Sequence, residues 1–64
     1  MSERKTIRMY GSIIESLQRY AQMGMPLLAN EQALLSRAIK SLSVCPSLAA
    51  QRYIHTAENI LIKS

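Results

Sequence analysis

The chain has 64 residues, 48% hydrophobic and 19% charged, with one cysteine, two glycines, two prolines and neither tryptophan nor phenylalanine. This composition predicts one small globular domain over residues 1–64, excludes an intramolecular disulfide, and leaves too few Cys and His for a structural zinc site. Eight Lys and Arg stand against four acids, all glutamates, for a net charge of +4, and the lack of aspartate removes the paired carboxylates, calcium loops and Asp-supported triads of much of enzymology.

The first predicted helix covers residues 5 to 23. Ile7, Tyr10, Ile14, Leu17, Ala21 and Gly24 recur at spacings of three and four, and Ile13 with Tyr20 widens the stripe. Arg8, Ser12, Glu15, Gln18, Arg19 and Gln22 form the polar face, where Glu15 precedes Arg19 by one turn in the order that favours an exposed ion pair. Gly24, as a C′ residue, and Pro26 end the element.

The second predicted helix covers residues 27 to 42. It uses Leu27 or Leu28, then Leu34, Leu35, Ala38, Ile39 and Leu42, and starts either with Pro26 in its first turn or with Asn30 as N-cap. Glu31 suits the positive end of its dipole, and Arg37 with Lys40 the negative end. Residues 43 to 47 break the periodicity around Pro46.

The third predicted helix covers residues 47 to 62. Ala50, Tyr53, Ile54, Ala57, Ile60 and Leu61 define its apolar face; Gln51, Arg52, His55, Thr56, Glu58 and Asn59 define the other. No segment alternates with the period of two that a strand needs. The expected fold is therefore all-α: three short helices forming a small bundle or a hairpin plus arm.

The doubled stripes at Ile13 and Ile14, Leu27 and Leu28, and Leu34 and Leu35 offer more apolar side chains than three short helices readily cover. A chain below roughly 70 residues also gains from association. Together these predict a homodimer, with the dimer or partner interface built from Ile14, Leu17, Leu28, Leu35, Ala38, Ile39 and Leu42.

His55, the only histidine, has no ligand-spaced companion and reads as a solvated or packed side chain rather than a metal ligand. Cys45 reads as a packed small hydrophobe; a lowered pKa at a helix start is the alternative. Met9, Met23 and Met25 read as core fillers before they read as an adaptable binding surface. Catalytic residues, metals, cofactors and a small-molecule substrate are all unexpected. No apolar run approaches a membrane span, and the start of the chain lacks a signal-peptide core, so a cytoplasmic location without membrane attachment is expected. Gln51, Arg52, His55, Thr56 and Asn59 form a face that could meet nucleic acid or a partner; with one cation and Glu58 at its border, nucleic acid is the secondary reading.

Leu27, Leu28, Glu31, Ala33, Leu35, Ala38 and Leu42, with Tyr20 ahead of them, resemble the central helix of the biofilm development regulator family, the YmgB/AriR-like connectors of two-component signalling. Ile54-His55-Thr56-Ala57-Glu58 is similar to an Ile-His-Ser-x-Glu stretch in that family's following helix, reached here through a shorter loop. The resemblance spans Tyr20 to Glu58. It implies a small helical homodimer that binds a regulatory or signalling protein and tunes a phosphorelay controlling biofilm and stress genes; a DNA-binding transcriptional modulator is the alternative.

Overall fold

The computed structural model describes residues 3–63, in which α1 runs Glu3–Gln22, α2 Ala29–Leu42 and α3 Leu48–Lys63. No strand occurs among the described residues. The all-α expectation holds, with each boundary displaced by no more than about two residues.

α1 closes with a left-handed glycine. Gly24 has φ 78°, its N–H donates to the Ala21 carbonyl at 3.1 Å, and the Met25 N–H donates to the Tyr20 carbonyl at 3.0 Å. These two bonds make a Schellman cap, which satisfies carbonyls that the end of the helix would otherwise orphan.

α2 begins at neither expected start. Leu28 occupies the N-cap position with extended backbone (φ −77°, ψ 159°), so Pro26 stays in the linker and Asn30 is already the second helical residue. Glu31 decides the register: its Oε1 accepts the Leu28 N–H at 2.9 Å, and its own N–H donates to the Leu28 carbonyl at 3.0 Å. This is the carboxylate half of a capping box, and leucine has no side-chain oxygen to complete the other half. A start at Asn30 would place Ala33 where the carboxylate is needed.

α3 is capped by Ser47, whose Oγ accepts the Ala49 N–H at 3.2 Å while its carbonyl accepts the Gln51 N–H at 3.1 Å. Pro46 precedes the cap, where its missing N–H costs nothing.

The helices run up, down and up. Gly11 of α1 faces Tyr53 near the start of α3, and the end of α1, the start of α2 and the end of α3 meet around Ala21, Leu27 and Ile60. α1 and α3 are therefore parallel neighbours, with α2 antiparallel to both. The molecule measures 33 × 19 × 16 Å, its long dimension matching a 20-residue helix at 1.5 Å per residue.

Ile14 and Leu17 of α1, Leu35, Ala38 and Leu42 of α2, Cys45 of the linker, and Ala50, Ala57 and Ile60 of α3 make one core. Among the described residues no buried polar side-chain atom lacks a hydrogen-bond partner. No described helix is long and apolar enough to cross a membrane.

Candidate functional site

Five of the seven residues expected at a dimer or partner interface belong to this core. Ile14, Leu35, Ala38 and Leu42 are completely buried and Leu17 nearly so, while Ile39 is half-buried and packs against them. Only Leu28 is exposed. The physical reason is plain: a helix that packs on two neighbours in its own chain needs a stripe two residues wide, and these residues fill that stripe within one chain. Leu34 at the edge of the α2 stripe, 36% exposed, marks where that width ends.

Several of the large apolar side chains left outside the core lie at the two ends of the bundle. At the α1–α2 corner Met23, Met25 and Leu28 are 50 to 71% exposed, and Met9 on α1 is 50% exposed, so Met9, Met23 and Met25 are surface residues rather than core fillers. Beside them opens a cleft of about 300 Å³ lined by Ala21, Gly24, Met25, Pro26, Leu27, Gln32, Ile60 and Lys63. At the opposite end Val44 and Leu48, flanking the α2–α3 linker, are similarly open.

Gln51, Arg52, His55, Thr56 and Asn59 lie along one side of α3, all exposed except Thr56. Thr56 and Asn59 border a hollow against α1, opposite Gln18 and Gln22, and Arg52 borders a separate one beside Glu15. Thr56 is half-buried and its hydroxyl donates to the Arg52 carbonyl at 3.0 Å, which leaves it less free to meet a ligand.

Between α1 and α3 the Tyr53 ring covers Gly11. A Cβ on Gly11 would lie 2.6 Å from both Cε2 and Cζ of that ring, so only glycine fits beneath it as it stands. The Tyr53 hydroxyl then reaches Glu15, one turn further along α1, and donates to its Oε1 at 3.1 Å. Glu15, expected to pair with Arg19, thus ties α1 to α3 instead. Gly11 carried no role in the sequence; the available signal was a glycine interrupting a strongly periodic helix, where it costs about 1 kcal/mol relative to alanine and so implies a close approach.

This contact raises the Tyr53 phenol pKa above its ordinary 10.0, through the hydrogen bond to Glu15 first, then burial, then the carboxylate charge. All three causes favour the neutral phenol in the folded chain. The stability it contributes is accordingly complete below about pH 10, where unfolded tyrosine begins to ionise, and disappears as pH rises through the higher folded value. In an ultraviolet titration Tyr53 should ionise at higher pH in the parent chain than in Glu15→Gln; the same ionisation pH in both would contradict the contact.

Cys45 is a free thiol buried between α2 and α3, with Sγ 3.8 Å from the Ser41 carbonyl, and fills a packing position. His55 is exposed, and no group of three or more His, Cys, Asp or Glu among the described residues could hold a metal ion. Comparison of the chain with protein-family models, with curated proteins and with solved structures finds no match.

Proposed function

We propose that this chain is a small non-enzymatic regulator that acts by docking its α1–α2 corner onto another regulatory protein. The observation that carries this reading is the exposure of Met23, Met25 and Leu28 around an apolar cleft, beside a core that the chain closes by itself. Unbranched thioethers repack at low cost around an incoming apolar side chain, which suits a docking surface. The cleft walls hold one cation, Lys63, and no nucleophile or acid–base pair, so they offer binding and no chemistry. The resemblance over Tyr20 to Glu58 supports a component of a bacterial signalling phosphorelay, in biofilm or stress control, as the partner.

A photo-crosslinking residue at position 28, compared with one at exposed Ser36 on α2, tests the reading in cells. Position 28 should give a discrete adduct with a signalling protein and position 36 should not. Equal labelling from both positions would sink it. So would an adduct from position 28 solely at twice the 7.2 kDa chain mass, which would make a second copy, the expected homodimer, the occupant of the corner.

A further inference from the structure

Because α1 and α3 run parallel and α2 runs against them, the start of α1, the end of α2 and the start of α3 share one end of the bundle. Charge is divided unevenly along that axis. The first two turns of α1 hold Arg4, Lys5 and Arg8, the last two of α2 hold Arg37 and Lys40, and the first two of α3 hold Arg52, all exposed. Against these six cations this end holds one acid, Glu3, whereas the far half holds Arg19 and Lys63 with Glu15, Glu31 and Glu58. α1 and α3 also point the positive ends of their dipoles this way, against one negative end from α2. At the tip itself, in and beside the α2–α3 linker, Val44 and Leu48 are 78% and 79% exposed. Each has a cation close along the chain: Lys40 precedes Val44 by four residues, and Arg52 follows Leu48 by four on the same face of α3.

We infer that this end of the bundle adsorbs to a bilayer surface rich in anionic lipid, with Val44 and Leu48 entering the interface and the cations resting among the headgroups. Side chains so fully exposed project from the surface rather than line a groove. A fluid bilayer interface closes around projecting aliphatic side chains, where a folded protein partner must carry a matching hollow. Cations spread over three helices call for an equally broad field of negative charge, and each Lys or Arg near an anionic leaflet strengthens adsorption about fivefold. Their long apolar stems let those on the sides of the bundle reach the headgroup level. No described helix can cross a bilayer, and none needs to. The expectation of a chain without membrane attachment rested on the lack of a spanning segment, which adsorption through one tip does not require. The apolar corner of Met23, Met25 and Leu28 lies at the other end of the 33 Å molecule and stays in water, so each surface can fail without the other.

The test is co-sedimentation of the full chain with vesicles of phosphatidylcholine and phosphatidylglycerol in equal parts, at about 100 mM salt, where charges are felt over about 10 Å. The parent chain should sediment with these vesicles and stay in solution with phosphatidylcholine alone. Lys40→Gln with Arg52→Gln should weaken binding about 25-fold. Arg19→Glu, which lowers the net charge by the same amount in the far half of α1, should weaken it by less than about threefold. Val44→Ser with Leu48→Ser leaves every charge in place and should weaken it by about tenfold or more. Circular dichroism should show the parent's helix content in each variant, since every substituted position is exposed. Equal weakening by the two charge variants would reduce the attraction to net charge and overturn the inference. Full binding by the serine pair would overturn it too, because the tip would then not enter the interface. A parent chain that ignores the anionic vesicles would also overturn it and make an acidic protein surface the occupant of this end.

Discussion

Leu35→Asp is expected to leave the chain unfolded at 25 °C. Leu35 is completely buried at the centre of the core, where burial of a leucine contributes about 1.5 to 3 kcal/mol and truncation to alanine costs about 2 to 5. A carboxylate there finds no cation among its core neighbours, so its desolvation adds several kcal/mol more. Against this, a domain of this size has a total stability of about 3 to 10 kcal/mol. Far-ultraviolet circular dichroism should show loss of helix, and Leu35→Ala should lower the melting temperature steeply while leaving a folded state to measure. Gln22→Asp, at the exposed last residue of α1, should shift stability by about 0.5 kcal/mol or less. A folded, merely monomeric Leu35→Asp chain would return Leu35 to an interface between molecules and contradict its place in the core.

The same residue shows what periodicity can and cannot say. The three helices were legible because apolar residues recur at three and four positions between two strong stops, Gly24 with Pro26 and the break in periodicity around Pro46. The apolar face of α3, from Ala50 to Leu61, was legible in full. What lay against the stripes was not, since Leu35 and Leu42 would repeat identically whether they met α1 and α3 of their own chain or a second copy. The start of α2 was ambiguous for a local reason. Pro26 and Asn30 are both conventional signals, yet one reciprocal bond from Glu31 to Leu28 outweighs them. The candidate surface was legible only in parts. Arg52, Thr56 and Asn59 were found on α3, but the α1 wall opposite them required knowing that α1 and α3 run parallel.

Gly11 presents the sharpest test of that pairing, because its local and tertiary effects have opposite signs. Within a helix, alanine is favoured over glycine by about 1 kcal/mol, so Gly11→Ala would stabilise an isolated α1. In the folded chain the new methyl meets Tyr53 Cε2 and Cζ at 2.6 Å, and the ring must swing away or α1 and α3 must part. Overpacking of this kind costs about 1 to 3 kcal/mol, and displacing the hydroxyl from Glu15 forfeits about 1 kcal/mol more. The tertiary cost is the larger: Gly11→Ala should destabilise by about 1 to 3 kcal/mol and the bulkier Gly11→Val by more. Tyr53→Leu keeps an apolar side chain on α3 but removes the ring tip that covers Gly11. In that background Gly11→Ala should therefore become stabilising, by up to about 1 kcal/mol, and a double-mutant cycle in urea would read the reversal as coupling between positions 11 and 53. If Gly11→Ala shifts the urea midpoint in the same direction and by the same amount in both backgrounds, the ring does not rest on Gly11 and the parallel packing of α1 on α3, with the hollows between them, is wrong.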